Sequence, residues 1–495
     1  MSHLILALDQ GTTSTRAVVF DSRDWRALAT AQAPLEQHFP APGWVEHDAE
    51  EIWRASLQIC RETLAEVGGV SRVAALGVTN QRETTVLWER ATGRPLHRAI
   101  VWQDRRTADA TDALVKAGHE PLVQGATGLV LDPYFSASKI AWLLDRVEGA
   151  RARAEAGELC AGTIDAWLMF RLTNGERFVT DVTNASRTSL FGLRELSWRD
   201  DLCALFGVPR ALLPEVLPCA GLFGETAAEH FGRALAITGC AGDQQAALVG
   251  HGALEAGAVK VTYGTGGFLV AVTGGQPATS TNRLLSTVGY QADGKLAYAL
   301  EGSIFSAGST VQWLRDGLGV ITASRESEAM AQRLKDNGGV YLVPGFTGLG
   351  APWWEAEARG AVFGLTRDTS PAHLVRAGLE AMAYQTRDLL QALAADGAPR
   401  PARLKVDGGV TANAWVMQFL ADICGVPVER PAYQEMTALG AAKLAALGAG
   451  LTDRLDGGPE EAPAVWTPRM DRAERTRLLA GWDAAVRACL AHARA

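Results

Sequence analysis

The 495-residue sequence lacks the common signatures of nucleotide binding and of cysteine-based metal binding. It contains no GxxxxGK[ST] segment, which excludes a P-loop protein, and no GxGxxG follows a predicted strand, which argues against a Rossmann dinucleotide fold. The seven cysteines occur singly, without a CxxC pair, so reduced structural thiols are expected rather than a zinc knuckle. A nucleotide site in this chain must therefore use another type of loop.

The sequence also lacks an excess of positive charge and a long apolar segment. Its 47 Lys and Arg against 55 Asp and Glu give a net charge of −8, spread along the chain. This balance argues against a nucleic-acid groove or a polybasic membrane patch. No apolar run reaches the roughly 18 residues of a membrane span, and the N-terminus shows no basic n-region. We therefore predict a cytoplasmic protein without membrane insertion and without nucleic acid as a partner.

The length of the chain predicts two domains, because single cores usually divide beyond about 250–300 residues. The glycine-rich stretch GCAGDQQAALVGHG begins at Gly239, and a fresh series of predicted strands follows it. No low-complexity linker separates the two halves. We place the boundary near residue 250, which gives domains 1–250 and 251–495.

The most informative stretch is Leu4 to Asp21, where an acidic residue and a Gly/Thr/Ser turn lie between two apolar runs. The runs Leu4 to Leu8 and Ala17 to Phe20 predict a hairpin of buried strands. Gly11 would let the backbone approach an anion, and the neighbouring hydroxyls add donors. Asp9 suggests Mg²⁺, because a bare carboxylate would repel a phosphate. An ordinary hairpin with a polar turn explains this stretch equally well when it is taken alone.

The same design recurs later in the chain. The stretch KVTYGTGGFLVAV repeats it with a Gly-Thr-Gly-Gly turn at 264–267. A third version, LKVDGGVTANAWV, has Gly408 and Gly409 at the predicted start of a helix that ends near Gly425, with Asn413 in its first turn. This weak internal duplication predicts a nucleotide held between two related α/β domains.

Two further polar patterns in the sequence predict a site loop and the starts of helices. Arg82 and Glu83 follow the predicted strand Val73 to Val78, in the loop beyond a strand end where α/β sites usually lie. Taken alone, an adjacent Arg-Glu pair is more often a solvated surface pair. Capping patterns at Asp48 and Asp471 predict the starts of two helices.

Eight stretches together resemble the FGGY carbohydrate kinase family of the actin and sugar-kinase superfamily, and within it the glycerol kinases. The resemblance spans essentially the whole chain and implies two actin-like (ribonuclease H-like) α/β domains with a nucleotide cleft between them. The stretches are LDQGTTSTR at 8–16, PGWVEHD at 42–48, TNQRETT at 79–85, YFSASK at 134–139, TNASRT at 183–188, AGDQQAAL at 241–248, FTGLGAPWW at 346–354 and VDGG at 406–409.

The resemblance implies ATP-dependent phosphorylation of glycerol to sn-glycerol 3-phosphate by in-line transfer. Asp243 would be the general base, Asp9 and Asp243 would hold Mg²⁺, and Arg16 would face the γ-phosphate. An ordinary carboxylate suffices because the proton can leave late in a loose transition state. The implied glycerol ligands are Arg82, Glu83, Trp102, Tyr134, Asp243, Gln244 and Phe268. The implied nucleotide ligands are Thr12, Thr13, Ser14, Arg16, Thr265, Gly308, Gln312, Gly409 and Asn413.

The resemblance further assigns glycerol and the phosphates to domain 1–250 and adenosine to domain 251–495, and it implies a homodimer or homotetramer. One alternative is another FGGY kinase that acts on a different polyol or ketose. Another is a nucleotide-driven switch like actin, which would need the two hairpins but not the glycerol ligands.

Two departures from the family concern regulation. The region 229–239 lacks the GGTR loop with which some relatives bind fructose 1,6-bisphosphate. The segment His230-Phe231-Gly232 resembles a phosphorylated histidine context of other relatives but is one residue short. We expect His230 to be an exposed histidine without that role.

Overall fold

The computed structural model describes residues 3–459 and 461–495, and two mixed β-sheets organise them. Each sheet carries one of the two predicted hairpins at its centre. The first sheet contains, in spatial order, Ala27–Pro34, Ser14–Asp21, Leu4–Gln10, Val73–Asn80, Ala236–Gly242 and Ala220–Glu225. The second contains Leu285–Ala292, Lys295–Ile304, Gly267–Gly274, Val259–Tyr263, Leu404–Asp407, Val428–Arg430 and Ala464–Trp466.

The two sheets repeat one topology. In the first sheet, Ser14–Asp21 pairs antiparallel with both Ala27–Pro34 and Leu4–Gln10. Across the rest of the sheet, the next two pairings are parallel and the last is antiparallel. The second sheet shows the same succession from Lys295–Ile304 to Ala464–Trp466, with Leu285–Ala292 added at one edge. The internal duplication predicted from three short stretches is thus a duplication of whole sheets.

Helices and short strands connect and cover the sheets, and none of the described helices is long and apolar enough to cross a membrane. The α-helices are Ala49–Glu66, Ala108–Lys116, Glu120–Thr127, Ser136–Arg146, Ala150–Glu155, Ile164–Leu172, Val182–Ala185, Asp200–Phe206, Ala228–Phe231, Asp243–Gly250, Gly308–Gln312, Glu326–Gln332, Pro371–Ala395, Ala414–Cys424, Met436–Gly448 and Arg472–Ala493. The remaining strands are Glu46–His47, Thr85–Glu89, Ala99–Ile100, Leu159–Thr163, Val179–Asp181, Phe191–Gly192, Ser197–Trp198, Glu215–Leu217, Tyr341–Val343 and Ala361–Phe363.

Helix boundaries follow side-chain caps that the sequence predicts. The Asp48 side chain accepts hydrogen bonds from the first turn of Ala49–Glu66, and Asp471 does the same for Arg472–Ala493. The third glycine stretch differs from its prediction. Residues Gly409–Ala412 form a 3₁₀ turn, and Asn413 is the N-cap of the helix rather than part of its first turn. The reason is that the Asn413 side chain accepts a hydrogen bond from the Val416 amide.

The helix Met436–Gly448, called here the bridging helix, belongs to the C-terminal half of the sequence but packs on the first sheet. Its alanines and Leu439 share a buried cluster with Ile5, Val18 and Phe20 of the first hairpin. It also packs along Asp243–Gly250. The two halves are therefore joined by a core and not only by the chain.

Glycine makes the contact between the bridging helix and Asp243–Gly250 possible. A Cβ atom on Gly440 would lie 1.7 Å from the Ala246 carbonyl oxygen, and one on Gly250 would lie 2.0 Å from that of Met436. Backbone atoms cannot move aside as a flexible side chain can, so any larger residue would push the helices apart.

We predict that Gly440→Ala lowers the free energy of unfolding by about 3 kcal/mol, the upper end of overpacking costs. The matched control is Gly125→Ala, because Gly125 is also helical but has open space where its Cβ would stand. The control should leave stability equal or slightly higher, since alanine favours helix. Urea denaturation of both variants measures the difference, and equal stabilities would contradict the packing argument.

Candidate active site

A cleft between the two sheets holds a cavity of about 370 Å³. The turns of both hairpins line it, together with the loop after Val73–Asn80 and the start of Asp243–Gly250. A second cavity of about 410 Å³ adjoins it and shares Gly264 and Thr265. The wall is thus built from strand ends of both sheets, where an α/β fold usually binds its ligands.

The first hairpin presents its turn to the cavity. Asp9 is half-buried near the end of Leu4–Gln10, and the Gly11 amide donates to the Ser14 carbonyl at 2.9 Å to close the turn. Thr12 and Thr13 line the cavity beside Gly11. Ser14 lies outside this lining, because its hydroxyl accepts a hydrogen bond from the Gln32 side chain at 2.9 Å. Of the three predicted hydroxyl donors, two face the cleft.

Arg16 lines the same cavity but already has partners. Its guanidinium donates to Gln32 at 3.0 Å and forms an ion pair with Glu435, which also lines the cavity. Glu435 stands at the N-cap of the bridging helix, so this contact joins the first hairpin to the C-terminal half. Glu435 was not among the site residues predicted from the sequence.

Arg82 and Glu83 are buried, in contrast to the surface pair that their adjacency alone would favour. Glu83 has a φ of 58°, which is uncommon for a residue with a side chain. Such a backbone persists only where the surroundings fix it, and it is frequent at functional sites. Here the Arg187 guanidinium donates to the Glu83 carboxylate at 2.7 Å, which fixes the side chain.

Arg82 and Glu83 belong to a network of four buried charges, which we call the charge tetrad and which also contains Arg187 and Glu301. The Arg82 guanidinium donates to both Glu301 oxygens at 2.5 and 2.9 Å, and Arg187 donates to Glu301 at 3.1 Å. Burial alone would raise the pKa of Glu301, but the two guanidinium groups hold it at about 2. The tetrad is neutral overall, and Glu301 reaches it from the second sheet.

Three aromatic rings form an apolar wall of the cavity. The Trp102 ring meets Tyr134 and Phe268 edge to face, with centroid distances of 5.6 and 5.9 Å. The indole N–H of Trp102 donates to the Thr12 hydroxyl at 3.0 Å, so the wall is tied to the first hairpin. Phe268 comes from the second sheet. All three rings, which are among the expected glycerol ligands, line one cavity.

Asp243 begins the helix Asp243–Gly250 and points into the cavity between two cations. Its carboxylate lies 3.3 Å from Arg82 Nε. Burial raises the pKa of Asp243, while Arg82 and then Lys260 oppose that rise. The next residue, Gln244, also lines the cavity, and its side-chain oxygen accepts a hydrogen bond from Lys260 at 2.5 Å.

The residues present fit a magnesium ion. Asp9 and Asp243 line the same cavity. Burial raises the pKa of Asp9 to about 7, Arg16 opposes this, and the charge of Asp243 raises it further. Carboxylate oxygens with water are the ligands that Mg²⁺ prefers, and a divalent cation would relieve their mutual repulsion.

The second cavity gathers the residues that the sequence analysis expected around adenosine. It is lined by Gly308, Gln312, Gly409 and Asn413, with Thr265 at its junction with the first cavity. Gly308 lies close to the second hairpin, since its Cβ would stand 2.5 Å from the Gly264 carbonyl oxygen. A ligand spanning the junction would place one end between the hairpin turns and the other among these residues.

Comparison with known proteins matches this architecture over nearly all of the sequence. The models of the FGGY family of carbohydrate kinases match residues 4–250 for its N-terminal domain and 259–449 for its C-terminal domain. The chain belongs to the FGGY family of carbohydrate kinases. The family resemblance inferred from eight short stretches is thereby confirmed.

Individual relatives of this FGGY chain are similar over nearly their full length. A glycerol kinase of Rhodospirillum centenum is 56% identical over 98% of this chain and 97% of the relative, and one of Ectopseudomonas mendocina is 54% identical over 98% and 99%. The crystal structure of Plasmodium falciparum glycerol kinase with ADP superposes with a TM-score of 0.91 at 36% identity, covering 99% of this chain and 98% of that one.

The structure corrects the expectation for His230. Its side chain is only 7% exposed, packs against Trp53 with a centroid distance of 5.1 Å, and directs Nε2 to the Arg171 carbonyl oxygen at 3.1 Å. An exposed position was expected because a lone histidine is usually a surface residue. The short helix Ala228–Phe231 instead turns the ring inward.

Glu301→Gln tests the charge tetrad. The substitution keeps the shape of the side chain but leaves two buried guanidinium groups facing one carboxylate, so we expect a loss of about 3–5 kcal/mol in the free energy of unfolding. The control is Asp456→Asn, which breaks the exposed pair with Arg454 and should change stability by less than about 0.5 kcal/mol. Urea denaturation compares the two, and a Glu301→Gln protein as stable as the control would contradict the prediction.

Proposed function

We propose that this chain transfers the γ-phosphoryl group of ATP to a terminal hydroxyl of glycerol, which gives sn-glycerol 3-phosphate. The observation that carries the proposal is the cavity of about 370 Å³, which brings Arg82, Glu83 and Asp243 together with the turns of both hairpins. A small triol needs charged partners for its hydroxyls and an apolar wall for its carbons, and the cavity offers both. The names of the full-length relatives support the same substrate.

The position of Asp243 supports a role as general base. The glycerol hydroxyl oxygen would attack the γ-phosphorus, the bond from phosphorus to the bridging oxygen of ADP would break, and the hydroxyl proton would pass to the Asp243 carboxylate. Burial raises the pKa of this carboxylate, with Arg82 and Lys260 opposing, which makes it a better base than an exposed aspartate. Positioning still matters more than basicity in a loose transition state.

The other proposed ligand contacts are made by residues that line the two cavities. Arg16 would exchange its contact with Glu435 for the γ-phosphate as charge spreads over that group. Asp9 and Asp243 would hold Mg²⁺, which supplies neutralisation of phosphate charge. We keep the division at residue 250, with residues 1–250 holding glycerol and phosphates and residues 251–495 holding adenosine. Residues of both halves line the first cavity, so a closed cleft would keep water from competing as acceptor.

We also propose a cellular location and an oligomeric state for the enzyme. Because ATP is the phosphoryl donor, we place the reaction in the cytoplasm. We also keep the expectation of a homodimer or homotetramer, which size-exclusion chromatography with light scattering would measure.

Asp243→Asn is the direct test of the base. We expect a folded protein that still binds ATP and glycerol but has a kcat about 10²–10⁴-fold lower, the usual share of general acid–base catalysis. The matched control is Asp201→Asn, because Asp201 pairs with Arg199 on the surface. Coupled measurement of ADP release gives kcat for both variants. Retained activity of Asp243→Asn would remove the base assignment.

The choice of acceptor is tested separately. ADP release should depend on added glycerol, and kcat/KM should be highest for glycerol in a panel with dihydroxyacetone, erythritol and xylulose. A larger polyol or ketose would need more room beside the wall of Trp102, Tyr134 and Phe268. A higher kcat/KM for xylulose or erythritol would assign the chain to another FGGY activity, and ATP turnover without any acceptor would favour a nucleotide switch.

A further inference from the structure

Lys260 is a fully buried lysine next to the cavity, and it is not among the proposed ligands of the reaction. Its relative exposure is 0%. Lysine is almost never fully buried unless it is paired. In the strand Val259–Tyr263, Val259 and Val261 face the core of the C-terminal half, and Lys260 and Thr262 point to the opposite face, toward the cleft. The ammonium group therefore lies under the floor of the cavity and not in solvent.

The hydrogen bonds of Lys260 connect the two halves of the molecule. Its Nζ atom donates to the Gln244 side-chain oxygen at 2.5 Å and to the Thr262 hydroxyl at 2.9 Å. Gln244 belongs to the helix that follows the first sheet, whereas Lys260 belongs to the second sheet. Because Gln244 lines the cavity, the contact reaches the substrate region through one side chain.

The chemistry of the two groups fixes the orientation of the amide. A glutamine side chain can present either its oxygen or its NH₂ group to a neighbour, and only the hydrogen-bond network decides which. An ammonium group has three donors and no acceptor, so only the Gln244 oxygen can face Lys260. The NH₂ group of Gln244 must then point away from Lys260.

That orientation suits an acceptor hydroxyl next to Asp243. Such a hydroxyl can donate its proton to the Asp243 carboxylate while its oxygen accepts from the Gln244 NH₂ group. With the amide reversed, the hydroxyl would face two acceptors and could satisfy only one of them, which leaves a buried polar group unpaired. The amide orientation therefore decides whether the hydroxyl is held by one hydrogen bond or by two.

We propose that Lys260 is a positioning residue that holds the Gln244 amide with its NH₂ group toward the acceptor hydroxyl. The proposal rests on the proposed glycerol kinase activity, since it names how the acceptor of that reaction is oriented. It does not require contact between Lys260 and the substrate. Its effect should appear in glycerol binding and pass through Gln244.

A double-mutant cycle tests this route. We expect Lys260→Met to raise the KM for glycerol about 10-fold to 100-fold, the range for losing a hydrogen bond linked to a charged group, while the KM for ATP changes less than threefold. Gln244→Ala should have a similar effect. In the Gln244→Ala background, adding Lys260→Met should raise the KM for glycerol less than threefold further, because the shared interaction is already lost.

The controls separate this role from general stability. Lys443 is equally buried and donates to the carbonyl oxygens of Gly250 and Gly457, so Lys443→Met should lower the thermal midpoint without raising the glycerol KM more than twofold. If Lys260→Met does not fold, Lys260→Gln keeps a donor at this position and should give an effect in the same direction but smaller. Glycerol titration in a thermal-shift assay then reads binding without turnover.

The outcomes distinguish the two proposals. Wild-type protein without glycerol-dependent ADP release would overturn the proposed function. Wild-type protein that phosphorylates glycerol, combined with multiplicative losses in the cycle or with equal rises in both KM values, would overturn the role of Lys260 alone. Near-complete non-additivity confined to glycerol would support it.

Discussion

The structure depends on the pairing of the buried side chains Arg82 and Arg187 with Glu83 and Glu301. Each charge would be costly to bury alone, and the four together are neutral and share close hydrogen bonds. Glu301 comes from the second sheet and the other three residues from the N-terminal half. The charge tetrad therefore fixes where the two halves meet, and the same contacts set Arg82 and Glu83 at the wall of the cavity.

The duplicated sheets use one backbone design for different chemistry. The first hairpin carries Asp9 and two threonines at its turn, whereas the second carries Thr265 and keeps Lys260 beneath the floor. Strand and turn geometry is common to both, so the difference lies in a few side chains at strand ends. In the proposed function, the two similar turns would hold the phosphates while the acceptor side remains distinct.

Features set by neighbours in the sequence were predictable. The hairpin Leu4–Asp21, the caps Asp48 and Asp471 and the repeat at 264–267 depend on local patterns, and the structure contains them. The compensating charges were not predictable, because Glu301 lies 219 residues from Arg82 and appears in the sequence as one acid in an apolar strand.

Lys260 and Arg187 both lie in sequence patterns that were recognised, but those patterns did not reveal their buried contacts. The strand sequence VKVTY alternates apolar and polar residues, which normally predicts that the lysine faces solvent. Only the second layer formed by Asp243–Gly250 turns that face into an interior. Arg187 lay within the TNASRT stretch that carried the family resemblance, but its role became visible only with its partners in place.

The position of Asp243 follows from these constraints taken together. Asp243 lies next to the charge tetrad. Arg82 donates a hydrogen bond to Glu301, and its Nε atom lies 3.3 Å from the Asp243 carboxylate. More positive charge at this place would keep the Asp243 carboxylate ionised but lower its pKa and make it a weaker base. Without a nearby cation, burial would raise the pKa until the carboxylate became protonated. Because Arg82 pairs with Glu301 as well, its positive charge is shared between two carboxylates. The carboxylate thus keeps a raised pKa while its geometry stays fixed, which is the combination that proton acceptance from a weakly acidic alcohol requires.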